Sequence, residues 1–201
     1  MNADETPPQD SALLDAAESQ IRSEGADGWS LSDLAEQAGV RLDVVEAEFE
    51  SEWDAFCRVM RRDEGRFEEV VEGSETDTAS ERILVLLEAC VPDFDWTFWI
   101  ELWSLALRDE RARSLRAELD ERFRGHLEEI IKDGVEAGEF TVADTRSVAI
   151  TIATLIDALA TQATLGDTTI RPNYMLDASV SVAGELLGAD LKLRSLGESR
   201  E

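Results

Sequence analysis

The stretch SLSDLAEQAGV, residues 30–40, decides how the N-terminal part of the chain folds. Ser30 precedes Asp33 by three residues, a variant of the capping box, which predicts that a helix begins immediately after Ser30. The apolar residues of the stretch recur at helical spacing and form one face: Leu31, Leu34, Ala35 and Ala38. Gly39 follows the last of them, so the pattern predicts a short helix with sharply defined ends.

Two more helices are predicted on either side of this stretch. Upstream, apolar residues predict a helix over residues 11–24 that ends before Gly25: Leu13, Leu14, Ala17 and Ile21. Downstream of the turn, Leu42, Val45 and Phe49 are three and four residues apart and predict a helix over residues 42–48. Three helices within about 40 residues, the last two joined by a glycine turn, predict a helix-turn-helix arrangement.

The remainder of the chain carries only helical periodicity. A second capping signature, Ser51 with Asp54, opens a long helix that runs to Gly73, where a polar stretch begins. Five further helices are predicted over residues 79–91, 96–107, 110–137, 143–165 and 174–187. No segment alternates apolar and polar residues as a half-buried strand does, so we predict an all-α fold of about nine helices.

The charge of the chain is extreme and is spread over its whole length. Asp and Glu number 45 against 19 Lys and Arg, only Lys132 and Lys192 are lysines, and the formal net charge is -26. At about 1 M salt the Debye length falls to about 3 Å, so carboxylate repulsion no longer opposes folding. We interpret the composition as an adaptation to a cytoplasm of high salt concentration. The alternative is an acidic protein of an ordinary cytoplasm that avoids or mimics nucleic acid.

Several classes of protein are disfavoured by the sequence. The longest apolar run, residues 148–165, is interrupted by Asp157 and a glutamine, and the N-terminus lacks the features of a signal peptide, which predicts a cytoplasmic protein. Cys57 and Cys90 are isolated and His126 is the only histidine, so neither a metal site nor a cofactor is expected. No nucleophile in a catalytic setting and no phosphate-binding loop is recognisable, so we do not expect an enzyme.

Residues 30–40 closely resemble the signature of the TetR family, which reads roughly T/S, a hydrophobic residue, two variable residues, I/L, A, two variable residues and A-G-V. Residues 13–17 resemble the opening helix of the family, and Phe49 matches the aromatic residue that closes its recognition helix. Three segments further along are similar to the ligand domain of BetI-like members: residues 99–109, 126–140 and 155–162. The resemblance thus covers most of the chain.

The resemblance implies a ligand-responsive transcriptional regulator, most often a repressor, that binds operator DNA as a homodimer. It implies a flexible tail, a helix-turn-helix domain, a ligand-binding and dimerisation domain and a C-terminal tail at residues 1–9, 10–55, 56–190 and 191–201. It also implies that the helices over residues 143–165 and 174–187, which are apolar on more than one face, pair with those of a second copy. The alternative is a TetR-like ligand sensor or acidic protein-interaction module that has lost DNA binding.

The predicted DNA-contacting residues lie around the two helices of the motif: Ser30, Arg41, Leu42, Val44 and Glu46. Arginine pairs with guanine, a carboxylate accepts from cytosine N4 and apolar groups meet the thymine methyl, while Ser30 and the start of its helix lie near phosphate. The Tyr and the Lys that touch phosphates in relatives of the family are glutamates in this chain. The alternative interpretation is that Leu42, Val45 and Phe49 are core and the acidic residues a solvated face, and we adopt it for Val45 and Phe49.

An aromatic cluster, made of Phe94, Trp96, Phe98, Trp99 and Trp103, is the candidate wall of an effector site for an apolar or cationic ligand. The resemblance implies a cavity bounded by the long linker helix and the helices through Asp157. The predicted ligand-binding residues are Met60, Trp96, Trp99, Trp103, Phe123, His126 and Asp157. Ordinary core packing is the alternative for the aromatic residues, and capping or solvent exposure is the alternative for Asp157. For His126 the alternative, which we favour, is a histidine with satisfied hydrogen bonds or an exposed one.

Overall fold

The computed structural model describes residues 9–73, 78–91 and 96–192. The predicted tails, residues 1–9 and 191–201, lie largely outside the described residues, as does Phe94 of the aromatic cluster. Within the described ranges the chain forms nine α-helices and no strand, which confirms the predicted all-α fold. The helices are α1 (Gln9–Glu24), α2 (Leu31–Ala38), α3 (Leu42–Glu48), α4 (Glu52–Glu72), α5 (Ala79–Ala89), α6 (Thr97–Ala106), α7 (Glu110–Glu136), α8 (Thr145–Thr164) and α9 (Pro172–Leu187).

The ends of α2 and the start of α9 have clear causes in the sequence. Ser30 is extended (φ -131°, ψ 162°), its hydroxyl oxygen accepts the Asp33 N–H at 3.2 Å, and its own backbone N–H donates to Asp33 Oδ2 at 2.9 Å. Gly39 ends α2 with a φ of 66°, a backbone conformation that other residues rarely adopt. α9 begins at Pro172 and not at the predicted Tyr174, because a proline in the first helical turn needs no partner for an N–H group.

The other predicted helix boundaries differ from the observed ones by at most two residues. α1 begins at Gln9 instead of residue 11, and α5 ends at Ala89, where Cys90 is the C-cap instead of a helical residue. α8 begins at Thr145 instead of residue 143, because Asp144 caps it by accepting the Ser147 N–H at 2.9 Å. Differences of this size are expected, since the last residues of a helix are held by few hydrogen bonds.

The described chain divides into two compact units. The first contains the described residues up to Glu64 together with Thr97–Arg116, and the second contains Gly65–Trp96 and the residues from Ala117 onward. α6 therefore belongs to the unit that contains the helix-turn-helix, whereas α4 and α7 each contribute to both units. The boundary that the sequence predicts between residues 55 and 56 does not coincide with this division and stays a prediction.

The core of the first unit is formed by apolar side chains of α1 to α4 and α6. Those that are almost inaccessible to solvent include Ile21, Leu34, Val45, Phe49, Phe56, Met60, Phe98 and Leu102. Arg62 joins α4 to α1 through ion pairs with Asp15 at 2.7 Å and Glu18 at 2.5 Å. The Ala26 N–H, just after α1, donates to Glu101 Oε2 of α6 at 3.3 Å. α1, which packs on α2, is thereby tied to both α4 and α6.

The core of the second unit combines α5, α7, α8 and α9. Its almost inaccessible side chains include Ile83, Leu86, Leu87, Leu119, Leu127, Ile131, Ile152, Ile156 and Leu187. After α7 the chain reverses at Gly138, whose φ is 76°, and the N–H groups of Glu139 and Phe140 both donate to the Gly134 carbonyl, at 2.8 and 3.1 Å. The reversal brings the ring of Phe140 against Gly134 and Ala79 of α5.

α8, Thr145–Thr164, is long and apolar enough to cross a membrane by length and composition alone. A single such helix is weak support for a membrane span, because core helices of soluble proteins pass the same test. The apolar residues of α8 that are buried in the core of the second unit are Ala149, Ile152, Ala153, Ile156 and Ala160.

Glu139 caps the N-terminus of α5, and we expect Glu139→Gln to lower the free energy of unfolding by about 1 kcal/mol. Its two carboxylate oxygens accept the backbone N–H groups of Ala79 at 3.0 Å and Ser80 at 2.9 Å. Partial burial opposes ionisation of this carboxyl, but the hydrogen bonds from Ser80 and Ala79 outweigh burial and lower its pKa. The charge of Glu139 therefore stabilises the folded state.

This contribution has a defined pH dependence. Because the pKa of Glu139 is lowered in the folded state, its stabilising effect is complete above the unfolded value of about 4.3 and is lost as the pH falls through the folded value. Urea unfolding followed by circular dichroism, at about 2 M KCl, should show a difference between wild type and Glu139→Gln at neutral pH that shrinks in acid. Glu136→Gln, which removes an exposed charge at the end of α7, is the control. A difference that does not change with pH would contradict this role.

Candidate DNA-binding surface and effector site

α2 and α3 form a helix-turn-helix whose buried and exposed residues are clearly separated. Val45 and Phe49 belong to the core of the first unit, as expected for these two residues, and Phe49 is 1% exposed. Three of the predicted DNA-contacting residues are exposed: Arg41, Leu42 and Glu46. The other two, Ser30 and Val44, are half-buried. Their contact with DNA stays a prediction.

Arg41 is the only Lys or Arg between Arg22 and Arg58, and it is ion-paired. Its Nε–H donates to Asp43 Oδ1 at 2.8 Å, and its Nη2 contacts Asp43 Oδ2. The pair is bidentate, so Asp43 takes the edge of the guanidinium group that otherwise pairs with a phosphate or a guanine. Both side chains are largely exposed to solvent, which keeps such an ion pair weak.

The first turn of α2 is occupied by side chains of the protein itself. The backbone N–H of Leu31 donates to Glu52 Oε1 at 3.1 Å, a contact that joins α2 to the first residue of α4. The Ser30 hydroxyl donates to Asp33 Oδ2 at 2.6 Å while its oxygen accepts the Asp33 N–H. Ser30, which is predicted to lie near phosphate, is therefore engaged in capping α2.

The surface around α3 is acidic. Arg58 is shared between Glu48 at 2.5 Å and Asp54 at 3.4 Å. The guanidinium carbon of Arg58 also lies 5.3 Å from the centroid of the Phe49 ring, so this cation packs on the core. Glu46 and Glu50 are exposed. Because a pair of like charges about 4 Å apart repel by about 1 kcal/mol even in water, this surface repels a DNA duplex in dilute buffer.

Three of the predicted ligand-binding residues lie in the first unit: Met60, Trp99 and Trp103. Met60 and Trp99 are buried and Trp103 is half-buried. The Trp99 Nε1–H donates to Asp63 Oδ2 at 3.0 Å, and Asp63 is only 4% exposed. Asp63 was not predicted as a site residue, although it stands on the apolar face of α4 between Met60 and Phe67. The hydrogen bond therefore places a buried carboxylate beside the indole ring of Trp99.

The other four predicted ligand-binding residues lie in the second unit: Trp96, Phe123, His126 and Asp157. Trp96 is buried, and its Nε1–H donates to the Cys90 carbonyl at 3.1 Å. Asp157 is half-buried. Burial raises the pKa of the Cys90 thiol well above its usual range, and the charge of Asp157 raises it further. Cys90 is therefore a protonated core residue.

Phe123 and His126 lie one turn apart on α7. The Phe123 ring packs against Phe67, with 5.2 Å between the ring centroids. His126 Nε2 is buried and has no hydrogen-bond partner within the described part of the chain. A buried polar atom of this kind is an exception in folded proteins and requires an explanation. Among the predicted residues of this unit, His126 is therefore the best suited to hydrogen-bond a polar group of an effector.

α8 and α9, the predicted dimerisation helices, pack against each other. Large apolar residues of this part of the chain remain exposed in the single copy: Ile150 of α8, Leu165 directly after α8, and Tyr174 of α9. The pairing of these helices with a second copy stays a prediction.

Comparison with protein-family models matches residues 79–187 to the C-terminal domain of BetI-type transcriptional repressors. Among curated proteins none matches the chain. Among solved structures, a TetR-family regulator from Rhodococcus sp. has a TM-score of 0.79 at 19% identity, over 89% of this chain and 97% of that chain. A TetR regulator from Haloarcula marismortui has a TM-score of 0.74 at 24% identity, over 92% of this chain and 98% of that chain.

A further structure of similar fold is a transcriptional regulator from Saccharomonospora viridis in complex with choline. Its TM-score is 0.74 at 22% identity, over 88% of this chain and 95% of that chain. All three structures share the fold of this chain over most of its length. Since the family model spans more than half of the chain, from residue 79 to residue 187, the protein belongs to the TetR family of transcriptional regulators and has a BetI-type C-terminal domain.

Proposed function

We propose that this TetR-family protein is a dimeric repressor that binds operator DNA through α3 in concentrated salt and releases it when an effector binds. The observation that supports the proposal most strongly is the intact helix-turn-helix. α2 is capped at both ends, and Val45 and Phe49 pack α3 into the core, while Arg41, Leu42 and Glu46 remain exposed. In this motif the second helix enters the major groove and the first crosses the DNA backbone.

The acidic surface makes this DNA binding dependent on salt. At about 1 M salt the Debye length is about 3 Å, so the repulsion between the glutamates and the phosphates is screened. Selectivity then comes from base edges, with Glu46 accepting from cytosine N4 and Leu42 meeting a thymine methyl group, while Arg41 contacts either guanine or a phosphate. The net charge of -26 and the presence of only two lysines support a cell interior with a high salt concentration.

The dimer that we propose is formed by α8 and α9. Two copies are needed because helix-turn-helix regulators read two half-sites about 34 to 36 Å apart on the DNA. The exposed apolar residues Ile150, Leu165 and Tyr174 support this choice of interface, since pairing of the two helices with their symmetry mates removes such residues from water.

The effector that we propose is a small organic cation. Trp99 and Trp103 lie one turn apart on α6, and the face of a tryptophan ring attracts cations. The carboxylate of Asp63 accepts the Trp99 N–H at 3.0 Å and adds a negative charge beside this ring. The regulator of similar fold from Saccharomonospora viridis is in complex with choline, a cation, which supports this class of ligand.

Selective DNA binding is expected to survive in concentrated salt. Fluorescence anisotropy would compare fragments of DNA from upstream of the gene with scrambled fragments of the same composition, from about 0.1 to about 3 M KCl. A regulator with many phosphate contacts loses a factor of about 10³ to 10⁵ in affinity between 50 and 200 mM salt. This protein should still bind at 2 M KCl, with an affinity for its operator at least about a hundredfold higher than for the scrambled fragment. Replacing part of the KCl by choline chloride should then release the DNA.

A second candidate function is a TetR-like ligand sensor or acidic interaction module that no longer binds DNA. It is favoured by the pairing of Arg41 with Asp43, which neutralises the one Lys or Arg of the sequence between Arg22 and Arg58. Absence of selective binding at every salt concentration, with circular dichroism showing intact helices, would reject the first function and favour the second.

A further inference from the structure

The two groups of the helix-turn-helix that are suited to bind phosphate are both occupied by carboxylates of the chain. The guanidinium group of Arg41 is engaged on two nitrogens by Asp43. The Leu31 N–H, at the start of α2, donates to Glu52 Oε1 at 3.1 Å. These carboxylates come from different helices, Asp43 from the first turn of α3 and Glu52 from the first turn of α4.

A carboxylate and a phosphate oxygen make the same kinds of contact with these groups. Both accept charge-assisted hydrogen bonds from a guanidinium group in a bidentate manner, and both accept hydrogen bonds from backbone N–H groups. Asp43 takes the Nε–Nη2 edge of the Arg41 guanidinium group, and Glu52 takes the single hydrogen of the Leu31 N–H, so a phosphate that uses the same edge or the same N–H meets a carboxylate there. A phosphate therefore has to displace Asp43 from Arg41 and Glu52 from Leu31.

We propose that Asp43 and Glu52 act as internal competitors of DNA phosphate and set the DNA affinity of this regulator. The inference rests on the proposed function, since it concerns the same surface. When a phosphate replaces Asp43 on Arg41, the phosphate releases a counterion but the freed carboxylate takes up a cation, so the net release of counterions is small. The affinity for DNA then depends weakly on salt, whereas an unoccupied Arg41 would give the usual steep decrease.

The test replaces both competitors by neutral residues of the same shape, Asp43→Asn with Glu52→Gln. The matched control is Glu36→Gln with Glu50→Gln, which removes the same two charges from exposed positions of the same unit. Anisotropy on operator DNA in about 0.3 M KCl should show a gain in affinity of about tenfold or more for the first pair and less than about threefold for the control. The slope of log K against log salt should become more negative by about 0.9 for each phosphate that Arg41 neutralises.

The possible outcomes separate the inference from the proposed function. Equal gains for the two pairs of substitutions would show that only net charge matters and would overturn the inference, while selective binding by wild type at high salt would leave the function standing. Loss of selective binding in wild type and in all variants, at every salt concentration, would reject both. The single variants Asp43→Asn and Glu52→Gln are each expected to give part of the gain in affinity for operator DNA. If circular dichroism shows that the double variant does not fold, the single variants replace it in the test.

Discussion

Gly134→Ala is expected to lower the free energy of unfolding by about 3 kcal/mol, a large effect for the addition of one methyl group. A Cβ atom on residue 134 would overlap the ring of Phe140 and lie 2.9 Å from the Cβ of Ala79. Phe140 cannot move away easily, because its N–H and that of Glu139 donate to the Gly134 carbonyl. Relief of the overlap therefore requires the chain reversal after α7 to open.

Gly125→Ala is the matched control, since it is the same substitution in the same helix. A Cβ atom on residue 125 would meet nothing within 4 Å. Alanine favours the helix over glycine by about 0.5 to 1 kcal/mol, so this variant should be slightly more stable than wild type. Urea unfolding followed by circular dichroism, at one high salt concentration, measures both variants. A Gly134→Ala protein as stable as Gly125→Ala would contradict the close packing of Phe140 on α7.

The parts of the fold that were predictable from the sequence are those whose signal lies within a turn or two of the chain. The capping box of Ser30 and Asp33 and the turn at Gly39 are local, and the structure has them where the sequence predicts them. The signal at Gly138 is equally local, because a glycine with a positive φ ends α7. Gly134 differs from Gly138, because the need for glycine arises from Phe140 and Ala79, which reach it only through the tertiary fold.

The electrostatics of the candidate site were less predictable, for the same physical reason. The hydrogen bond from Leu31 to Glu52 and that from Trp99 to Asp63 join residues of different helices, and helical periodicity identifies a face of a helix but not its neighbour. The position of Asp63 among apolar residues of α4 could have indicated its burial. It could not have indicated that Trp99 is its partner.

The predicted ligand-binding residues illustrate the limit of a resemblance. It indicates which helices belong to the ligand domain, yet Met60, Trp99 and Trp103 fall in the unit of the helix-turn-helix, and the other four fall in the second unit. Their side chains also differ in what they contact, since Trp96 is bound to the Cys90 carbonyl and His126 Nε2 is buried without a partner in the described chain. Such differences arise from packing and not from the spacing of the residues.

α3 offers a test that separates residues of the core from residues that contact DNA. Phe49→Ala is expected to lower the free energy of unfolding by about 3 to 5 kcal/mol, because Phe49 is 1% exposed and its removal leaves a cavity. Leu42→Ala should change stability by no more than about 0.5 kcal/mol, because Leu42 is 39% exposed at the start of the same helix. The same variant should weaken the preference for operator DNA, through loss of the proposed contact with a thymine methyl group.

Urea unfolding and anisotropy at about 2 M KCl, applied to both variants, distinguish the two roles. If Leu42→Ala lost as much stability as Phe49→Ala, α3 would be packed on both sides and would have no surface for a DNA groove. If Leu42→Ala kept both its stability and its full preference for the operator, Leu42 would not contact a base. Retained stability with reduced preference is the expected result. The buried side chains of Val45, in α3, and Phe49, directly after it, then hold the helix in position, while its exposed side reads DNA.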